Sequence, residues 1–242
     1  MFERRISVKV IAHRGASGYA PENTLVAFKK ALDMGAKAVE FDVQMTQDGQ
    51  LVVIHDYTLD RTTSGSGMIM DTDYEDIKEF DAGSWFATEY RGERVPLLKN
   101  VLQLFPADVE INIEIKKFLL DERKLEEDIY GLVKEMNMMD QVVFSSFDHH
   151  CLKNLRNYSD TRIGILISSS MIEPLTYMKS QQLVSHSINQ KVAFIDKELV
   201  EDDHNNQIKV LSYTVNDRKI AEYFETIGVD GIFSNYPDIM SK

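Results

Sequence analysis

The sequence predicts an α/β protein, a (β/α)₈ barrel with a small insertion after its second strand. The first observation is the length of 242 residues, which is usual for one such barrel and long for most other single domains. The second is that short segments with the apolar period of strands alternate with segments that have the period of helices. The third is that polar residues follow several predicted strands, as at the mouth of such barrels. We therefore expect one domain over residues 1–242.

The first strand delivers two polar side chains. The strand predicted at 9–12 ends at His13 and Arg14, because two glycines and a proline then turn the chain. Asn23 or Thr24 is expected to cap the helix that follows. This βα unit therefore places an imidazole and a guanidinium at the carboxyl end of its strand.

The second strand carries a pair of carboxylates. In the strand predicted at 38–43, Glu40 and Asp42 are two residues apart, so both side chains point to the same side. Residues 43–54 have the pattern of a hairpin with a tight Asp-Gly turn. Counting residues up to this turn and back places His55 near Asp42.

Residues 57–96 interrupt the alternation of strands and helices, apart from a short helix expected at 74–80. Beyond this segment, strands are predicted at 110–115, 141–145, 162–167, 183–187, 209–214 and 231–234. Helices are predicted at 25–34, 97–105, 119–136, 148–158, about 172–180, 197–203 and 218–226. Without the returning hairpin arm at 51–54, eight strands alternate with helices, which predicts the TIM-barrel architecture. Glu114 and Lys116 then lie together at the end of one strand.

These side chains suit one kind of chemistry. Paired carboxylates attract a hard divalent cation such as Mg²⁺ or Ca²⁺, which takes oxygen ligands. His13 and His55 can act as general base and general acid, since the ordinary pKa of histidine lies near neutral pH. Arg14 can hold an anion, most plausibly a phosphate. Although solvated rim carboxylates or barrel ion pairs would explain Glu40 and Asp42 alone, the whole set fits metal-assisted phosphodiester cleavage.

Ordered motifs across the chain resemble the signature of the glycerophosphodiester phosphodiesterase family. They are His13-Arg14-Gly15, Pro21-Glu22-Asn23-Thr24, Glu40-Phe41-Asp42-Val43, Thr46 with Asp48-Gly49, His55-Asp56, Ala82-Gly83-Ser84-Trp85-Phe86, Glu114-Ile115-Lys116, Ser146-Phe147-Asp148, Thr214-Val215-Asn216 and Asp230-Gly231-Ile232. The resemblance implies a barrel whose insertion, here residues 57–96, lies above the mouth. It also implies that Trp85 and Phe86 are candidates for the pocket wall, although both could form the packing core of the insertion.

The resemblance and the residues together suggest a role for each candidate. His13 and His55 are the expected acid/base pair, and Glu40, Asp42 and Glu114 are the expected ligands of one divalent cation, Mg²⁺ or Ca²⁺, with Mn²⁺ also compatible. Arg14 and Lys116 are expected to neutralise the phosphate. Glu22, Phe147 and Tyr213 are candidate contacts of the substrate. Ordinary structural roles remain open for Lys116 as the ion-pair partner of Glu114, for Glu22 in a first helical turn and for the two aromatic residues in core packing.

The sequence departs from the family pattern at two positions. Tyr213 stands where the family usually has tryptophan, which affects the expected pocket wall, and Asn235 stands where it usually has aspartate. We expect neither position to touch the metal ligands or the two histidines.

The expected reaction is metal-dependent hydrolysis of glycerophosphodiesters to sn-glycerol 3-phosphate and an alcohol. The attacking group is either the glycerol 2-hydroxyl, which would give a cyclic phosphate, or an activated water. Two alternatives are a phosphodiesterase of the lysophospholipase D type and a phosphate-binding barrel without catalysis.

Composition narrows the expected partners and location. The formal net charge of -12 argues against nucleic acid or an anionic membrane surface as the main partner. Cys151 is the only cysteine, so no internal disulfide is expected, and it should be buried. His149, His150 and His204 are expected on helix surfaces. Because the start lacks a signal peptide's apolar core and no apolar run is long enough to span a bilayer, we expect a cytoplasmic protein without stable membrane insertion, acting on a small molecule and compatible with a homodimer.

Overall fold

A computed structural model describes residues 8–118, 121–183 and 185–241. Within these residues the strands are β1 (Lys9–His13), β2 (Ala38–Met45), β3 (Leu51–Val53), β4 (Glu110–Ile115), β5 (Val142–Ser146), β6 (Ile163–Ile167), β7 (Ser187–Lys191), β8 (Lys209–Tyr213) and β9 (Gly231–Ser234). The α-helices are α1 (Leu25–Asp33), α2 (Tyr74–Ile77), α3 (Leu98–Leu102), α4 (Leu125–Glu135), α5 (His149–Arg156), α6 (Pro174–Ser180), α7 (Lys197–Asn205) and α8 (Arg218–Ile227).

Eight of the strands form a closed parallel barrel. The order around it is β1, β2, β4, β5, β6, β7, β8 and β9, and β9 pairs with β1 to close the ring. β3 is antiparallel to β2 and forms the returning arm of a hairpin. Helices separate the barrel strands along the chain, so the predicted (β/α)₈ fold is confirmed.

Local sequence explains how several helices begin. The hydroxyl of Thr24 accepts a hydrogen bond from the amide of Ala27 at the start of α1, which selects it over Asn23 as the cap. The carboxylates of Asp148, Asp196 and Asp217 accept the corresponding bonds at the starts of α5, α7 and α8. These caps fix where the chain turns from each strand end into the next helix.

The main apolar core lies between the barrel and its outer helices, where Phe28, Phe41 and Phe105 pack together. The segment between β3 and α3 has a separate apolar cluster that includes Leu59, Ile69 and other buried residues. This agrees with an insertion that packs on itself, while the division of the chain into one domain with an insertion at 57–96 stays a prediction. No helix within the described residues is long and apolar enough to cross a bilayer.

Two predicted elements have wrong boundaries. The helix predicted at 119–136 begins only at Leu125; positions 119 and 120 lie outside the described residues, and Asp121 is tied to Arg123 in the connection that follows. The strand predicted at 183–187 runs instead from Ser187 to Lys191, and position 184 lies outside the described residues. The inward side chains Ser187 and Asn189 of β7 are polar, so this strand lacks the apolar alternation that identifies most others.

The predicted burial is correct for Cys151 and wrong for one histidine. Cys151 is buried, and burial raises the pKa of its thiol to about 12, so it is not a nucleophile. His149 is half-buried because its ring nitrogens contact the Tyr177 hydroxyl at 2.9 Å and the Leu166 carbonyl at 3.0 Å. His150 and His204 are exposed, as expected.

Candidate active site

The candidate residues lie together at the carboxyl ends of β1, β2 and β4. His13 pairs in register with Glu40, and Asp42 pairs with Glu114, so the imidazole and three carboxylates occupy adjacent strand ends. The hairpin returns the chain as predicted, because the amide of Ile54 donates to the carbonyl of Asp42 at 3.0 Å. This contact brings His55, the next residue, to the same mouth.

A buried glutamine holds the chain around His55 in place. The amide nitrogen of Gln44 donates to the carbonyls of Ile54, His55 and Asp56 at 3.0, 3.1 and 2.7 Å. Gln44 is 4 % exposed, so these three bonds are shielded from water. His55 is therefore positioned by its backbone as well as by its ring.

Three carboxylates form the centre of the site. Glu40, Asp42 and Glu114 each offer an oxygen within 4.8 Å of those of the other two. All three side chains are buried; Glu40 and Asp42 each have an oxygen that accepts no hydrogen bond from the described residues, and Oε1 of Glu114 lies 3.1 Å from the Lys116 ammonium. Such a group of buried like charges is unfavourable unless a cation lies between them.

The pKa values of the three carboxyl groups reflect this crowding. Burial, followed by the charge of Asp42, raises the pKa of Glu40 well above its ordinary value and that of Glu114 to about 7. The pKa of Asp42 is lowered although burial opposes this, because Arg14 and His55 lie close to it. A divalent cation with oxygen ligands would relieve the repulsion and use the free oxygens, so the residues present fit such an ion.

Two cations flank the carboxylates. The Arg14 guanidinium contacts Glu22 at 2.8 Å and Asp42 at 3.3 Å. The Lys116 ammonium lies 3.1 Å from Glu114 and 3.3 Å from Nε2 of His55. The ion pair of Lys116 with Glu114 is therefore present, and both cations also lie where they could contact a phosphate beside the carboxylates.

The two histidines have chemically different partners. Nδ1 of His13 lies 2.7 Å from the amide oxygen of Asn235, whereas Nδ1 of His55 lies 2.6 Å from a carboxylate oxygen of Asp56. If Nδ1 carries the proton in each ring, Nε2 is the acceptor in each, and that of His55 then accepts from the Lys116 ammonium at 3.3 Å. The expectation that position 235 does not touch the acid/base pair is therefore wrong.

Burial dominates the ionisation of both rings. It lowers the pKa of His13 to about 4, with the charge of Arg14 acting in the same direction. Burial also lowers the pKa of His55, and Arg14 and Lys116 add to this, while Asp42 and Asp56 oppose it. Burial therefore favours the neutral, proton-accepting form of His13, whereas Asp42 and Asp56 favour the protonated form of His55.

A cavity of about 390 Å³ opens above these groups. The charged half of its lining comprises His13, Arg14, Glu40, His55 and Glu114. The opposite half includes Phe147 and Tyr213, whose rings meet edge to face with centroids 5.7 Å apart. The Tyr213 hydroxyl donates to the Ile167 carbonyl at 2.8 Å, which holds that ring in place.

Comparison with known proteins decides the family. Residues 13–239 match the model of the glycerophosphoryl diester phosphodiesterase family. The chain belongs to this family. The glycerophosphodiester phosphodiesterases of Caldanaerobacter subterraneus and Bacillus altitudinis are 39% and 37% identical to it, with 96% and 95% of this chain and 95% of each relative covered. The structure of an Oleispira antarctica phosphodiesterase in complex with the product sn-glycerol-3-phosphate is 32% identical, with a TM-score of 0.86 and coverage of 96% of this chain and 95% of that chain.

For this member of the family, several expectations are settled and others remain predictions. The family, the barrel fold and the class of enzyme, a phosphodiesterase, are confirmed. The acidic cluster could bind a metal, but the identity of the ion and the catalytic roles of individual residues stay predictions.

Sequence reasoning missed four contributors to the site. The amide of Asn23 donates to Asp42 at 2.9 Å, although its position in the Pro-Glu-Asn-Thr motif suggested only a helix cap. Arg61, in the insertion, binds both Glu22 and Asp56, and no sequence signal indicated this. Asp56 could have been found from its place beside His55. Asn235 was noticed only as a departure from the pattern, since its contact with His13 spans 222 positions.

The remaining candidates are Glu22, which lies beside the site, and Trp85 and Phe86, which do not line the cavity. The carboxylate of Glu22 is held by Arg14 and Arg61, and these arginines keep its pKa below the ordinary value although burial opposes this. Trp85 and Phe86 pack edge to face with centroids 5.7 Å apart. Neither lines the cavity above the carboxylates, so the structure places them in the packing of the insertion and not in the pocket wall.

Proposed function

We propose that this phosphodiesterase hydrolyses glycerophosphodiesters to sn-glycerol 3-phosphate and an alcohol, using a divalent cation and two histidines. The single observation that carries the proposal is the arrangement at the barrel mouth, where His13 and His55 lie beside three buried carboxylates, two of which have an oxygen that accepts no hydrogen bond from the described residues. A site for phosphate alone would gain nothing from three carboxylates that repel it. The product bound to the Oleispira antarctica relative supports the choice of substrate.

Glu40, Asp42 and Glu114 would hold the cation. Their oxygens favour Mg²⁺ or Ca²⁺, with Mn²⁺ as a further candidate. When bound, the ion would withdraw charge from the phosphoryl group and so make phosphorus more open to attack. The amide of Asn23 and the guanidinium of Arg14 keep Asp42 oriented, since both contact its second oxygen.

His13 is assigned as the general base. Its Nδ1 faces a neutral amide, so this nitrogen lacks the carboxylate partner that Asp56 provides to His55. Its free Nε2 faces the carboxylate cluster, 3.9 Å from Glu40. From there it would remove the proton of the attacking group, which is either a water molecule or the glycerol 2-hydroxyl; in the second case water would then open the cyclic phosphate to give glycerol 3-phosphate.

His55 is assigned as the general acid. The carboxylate of Asp56 contacts its Nδ1 and stabilises the protonated ring, and Arg61 orients that carboxylate in turn. The imidazolium would donate its proton from Nε2 to the departing alkoxide, which is too basic to leave unaided.

Arg14 and Lys116 supply fixed positive charge for the phosphate. Both cations lie in the buried part of the mouth, with side chains 16% and 12% exposed, so their charge is screened less by water. They would stabilise the negative charge that grows on the non-bridging oxygens in the transition state. Glu22 would then act through Arg14, by holding its guanidinium in place. Phe147 and Tyr213 would form the wall against the substituents of the diester.

The test is a coupled assay for glycerol 3-phosphate release from glycerophosphoethanolamine and glycerophosphocholine. The protein is first treated with a chelator, and Mg²⁺, Ca²⁺ and Mn²⁺ are then restored separately. We expect release to stop on chelation and to return with at least one ion. Release that is unaffected by exhaustive chelation would contradict the proposed metal dependence, and no release with any ion would contradict the proposed substrate.

A further inference from the structure

Lys191 is the last residue of β7, and it faces the cavity from the side opposite the carboxylates. Along β7 the side chains of Ser187 and Asn189 point into the barrel, since the oxygen of one and the amide of the other both approach Gly164 of β6. Because strand side chains alternate, Lys191 lies on the same inward side, one layer nearer the mouth. It lines the cavity together with His13 and Glu114.

The barrel order places Lys191 across from the metal cluster. β7 is the fourth strand from β2 in either direction around the eight-stranded ring, so it lies diametrically opposite Glu40 and Asp42. Eight strands about 4.8 Å apart and tilted by about 36° form a barrel about 15 Å across. A substituent of a phosphate held at the carboxylates would therefore reach Lys191 by extending across the mouth.

Among the cations that line the cavity, Lys191 has no hydrogen bond or ion pair from its side chain to any described residue. Arg14 and Lys116 are both bound to carboxylates. Lys191, in contrast, makes no side-chain hydrogen bond or ion pair with any residue in the ranges 8–118, 121–183 and 185–241, and it is exposed. Its ammonium group is thus free for a ligand.

Among the described residues that line the cavity, no carboxylate lies on the same half as Lys191, so none competes with a ligand for its ammonium group. Tyr213 is its register partner on β8, and Leu166 and Val192 lie on the same half of the lining. Among the described residues that line this cavity, the carboxylates are Glu40 and Glu114, and both are on the opposite half. A cationic head group would meet Lys191 with like charge and no nearby acid, whereas an anionic group would complement it.

We propose that Lys191 determines specificity by binding an anionic group on the alcohol part of the diester, so that the enzyme favours glycerophosphodiesters with acidic head groups. This inference rests on the proposed function, because it uses the same bound phosphodiester. Lys191 would contact the substrate far from the reacting phosphorus and would therefore act mainly on binding.

A matched pair of substrates tests the inference. Glycerophosphoserine and glycerophosphoethanolamine differ by one carboxylate, so the ratio of their kcat/KM values isolates the contribution of that group. We expect Lys191→Gln to lower the serine-to-ethanolamine ratio about two- to fivefold, mainly through KM, as for one exposed ion pair. Lys191→Glu should lower the ratio further, and added salt should reduce the ratio of the wild-type protein but not that of Lys191→Gln.

Lys197→Gln is the control, since Lys197 is an exposed lysine on the neighbouring α7 that pairs with Glu201 at 3.2 Å outside the cavity. It should leave the ratio unchanged. An unchanged ratio in Lys191→Gln, or an equal loss for both substrates, would overturn the inference while the wild-type hydrolysis of either substrate still supports the proposed function. Hydrolysis of neither substrate by the wild-type protein with any of the three ions would overturn both.

Discussion

The two halves of the barrel mouth are built from different chemistry. The half formed by β1, β2 and β4 holds His13 and the three carboxylates, and two cations there form ion pairs with these carboxylates. The half formed by β5 to β8 holds Phe147, Leu166 and Tyr213, with one free ammonium at Lys191. The comparison suggests that one half performs the reaction, while the other selects the substrate.

We expect the charged half to be the less stable of the two. Buried carboxylates that repel one another lower the stability of the folded state unless a cation joins them. The aromatic half has no such conflict, because its rings pack edge to face and the Tyr213 hydroxyl is hydrogen-bonded. Changes in the charged half should therefore trade activity against stability, and changes in the aromatic half should not.

The largest expected effect is the loss of either histidine. We expect His13→Ala and His55→Ala each to lower kcat by about 10²- to 10⁴-fold, because each removes one proton transfer. The double variant should lose less than the product of the two single losses, since the residues act as a unit. The measurement is the initial rate of glycerol 3-phosphate release at saturating metal, with circular dichroism to check the fold.

A substrate with a better leaving group separates the two roles. A nitrophenyl ester of glycerol phosphate releases an alcohol that departs without a proton, so His55→Ala should lose much less activity on it than on glycerophosphoethanolamine. His13→Ala should lose similar activity on both substrates. The reverse pattern would exchange the assigned roles, and a rate within tenfold of wild type for both variants on both substrates would remove the mechanism.

The next effect concerns the repulsion among the carboxylates. At pH 8 and without metal, Glu40→Gln should be more stable than the wild-type protein by about 1–3 kcal/mol, because the glutamine oxygen can still accept from the Arg14 amide while one buried charge is gone. Because the pKa of Glu40 is raised in the folded state, this advantage should be complete above that pKa and shrink as the pH falls through it. Thermal melts at several pH values measure it.

Bound metal should make the wild-type protein more stable than Glu40→Gln, which reverses their order without metal. An ion present at about 100 times its dissociation constant adds about 2.7 kcal/mol to the folded state. We expect Ca²⁺ or Mg²⁺ to raise the Tm of the wild-type protein and to leave that of Glu40→Gln nearly unchanged. Equal metal-induced shifts in both proteins would show that the ion binds elsewhere.

The sequence predicted the charged half of the mouth better than the aromatic half. His13, Glu40, Asp42, His55 and Glu114 lie at the ends of strands with clear apolar patterns, so their positions followed from local periodicity and one hairpin. β7 was misplaced because its inward residues are polar, and Lys191 was missed with it. Local pattern cannot identify a strand whose buried face lacks apolar side chains.

Contacts between distant residues were also missed. Asn235 reaches His13 only because β9 pairs with β1 and closes the barrel. Arg61 reaches Glu22 because the insertion folds back over the mouth. Neither contact has a period or a spacing in the sequence, since both depend on how separate elements pack.

The partners of the two histidines provide a third prediction. Asn235→Asp gives His13 a charged partner, so the acidic limb of the kcat/KM profile should move to higher pH, because a nearby carboxylate raises the pKa of a base. Asp56→Asn removes the charged partner of His55, so the alkaline limb should move to lower pH. Each variant should lower the maximal rate by roughly tenfold, a loss typical of a group that orients a catalytic residue.

Each of these variants is the control of the other. If Asn235→Asp moves the alkaline limb instead, His13 is the acid and the assigned order is wrong. If both limbs stay in place in both variants, these partners only hold the rings in position.

The smallest effect tests whether metal sensitivity is special to the mouth. Asp203 on α7 is also a buried carboxylate with an oxygen that accepts no hydrogen bond from the described residues, and burial, with the charge of Asp202 adding to it, raises its pKa to about 7. Above pH 7 the folded protein therefore carries an unfavourable buried charge, whereas the unfolded chain ionises freely.

Asp203→Asn should be more stable than the wild-type protein by about 1–2 kcal/mol at pH 8. The advantage should shrink as the pH falls through 7 and vanish only below about pH 3, where the carboxyl group is neutral in both states. Unlike Glu40→Gln, this variant should keep the full metal-induced rise in Tm, because Asp203 is not part of the cluster of Glu40, Asp42 and Glu114. A rise lost in both variants would mean that the metal acts on the fold as a whole, and the distinction between the two halves of the mouth would fail.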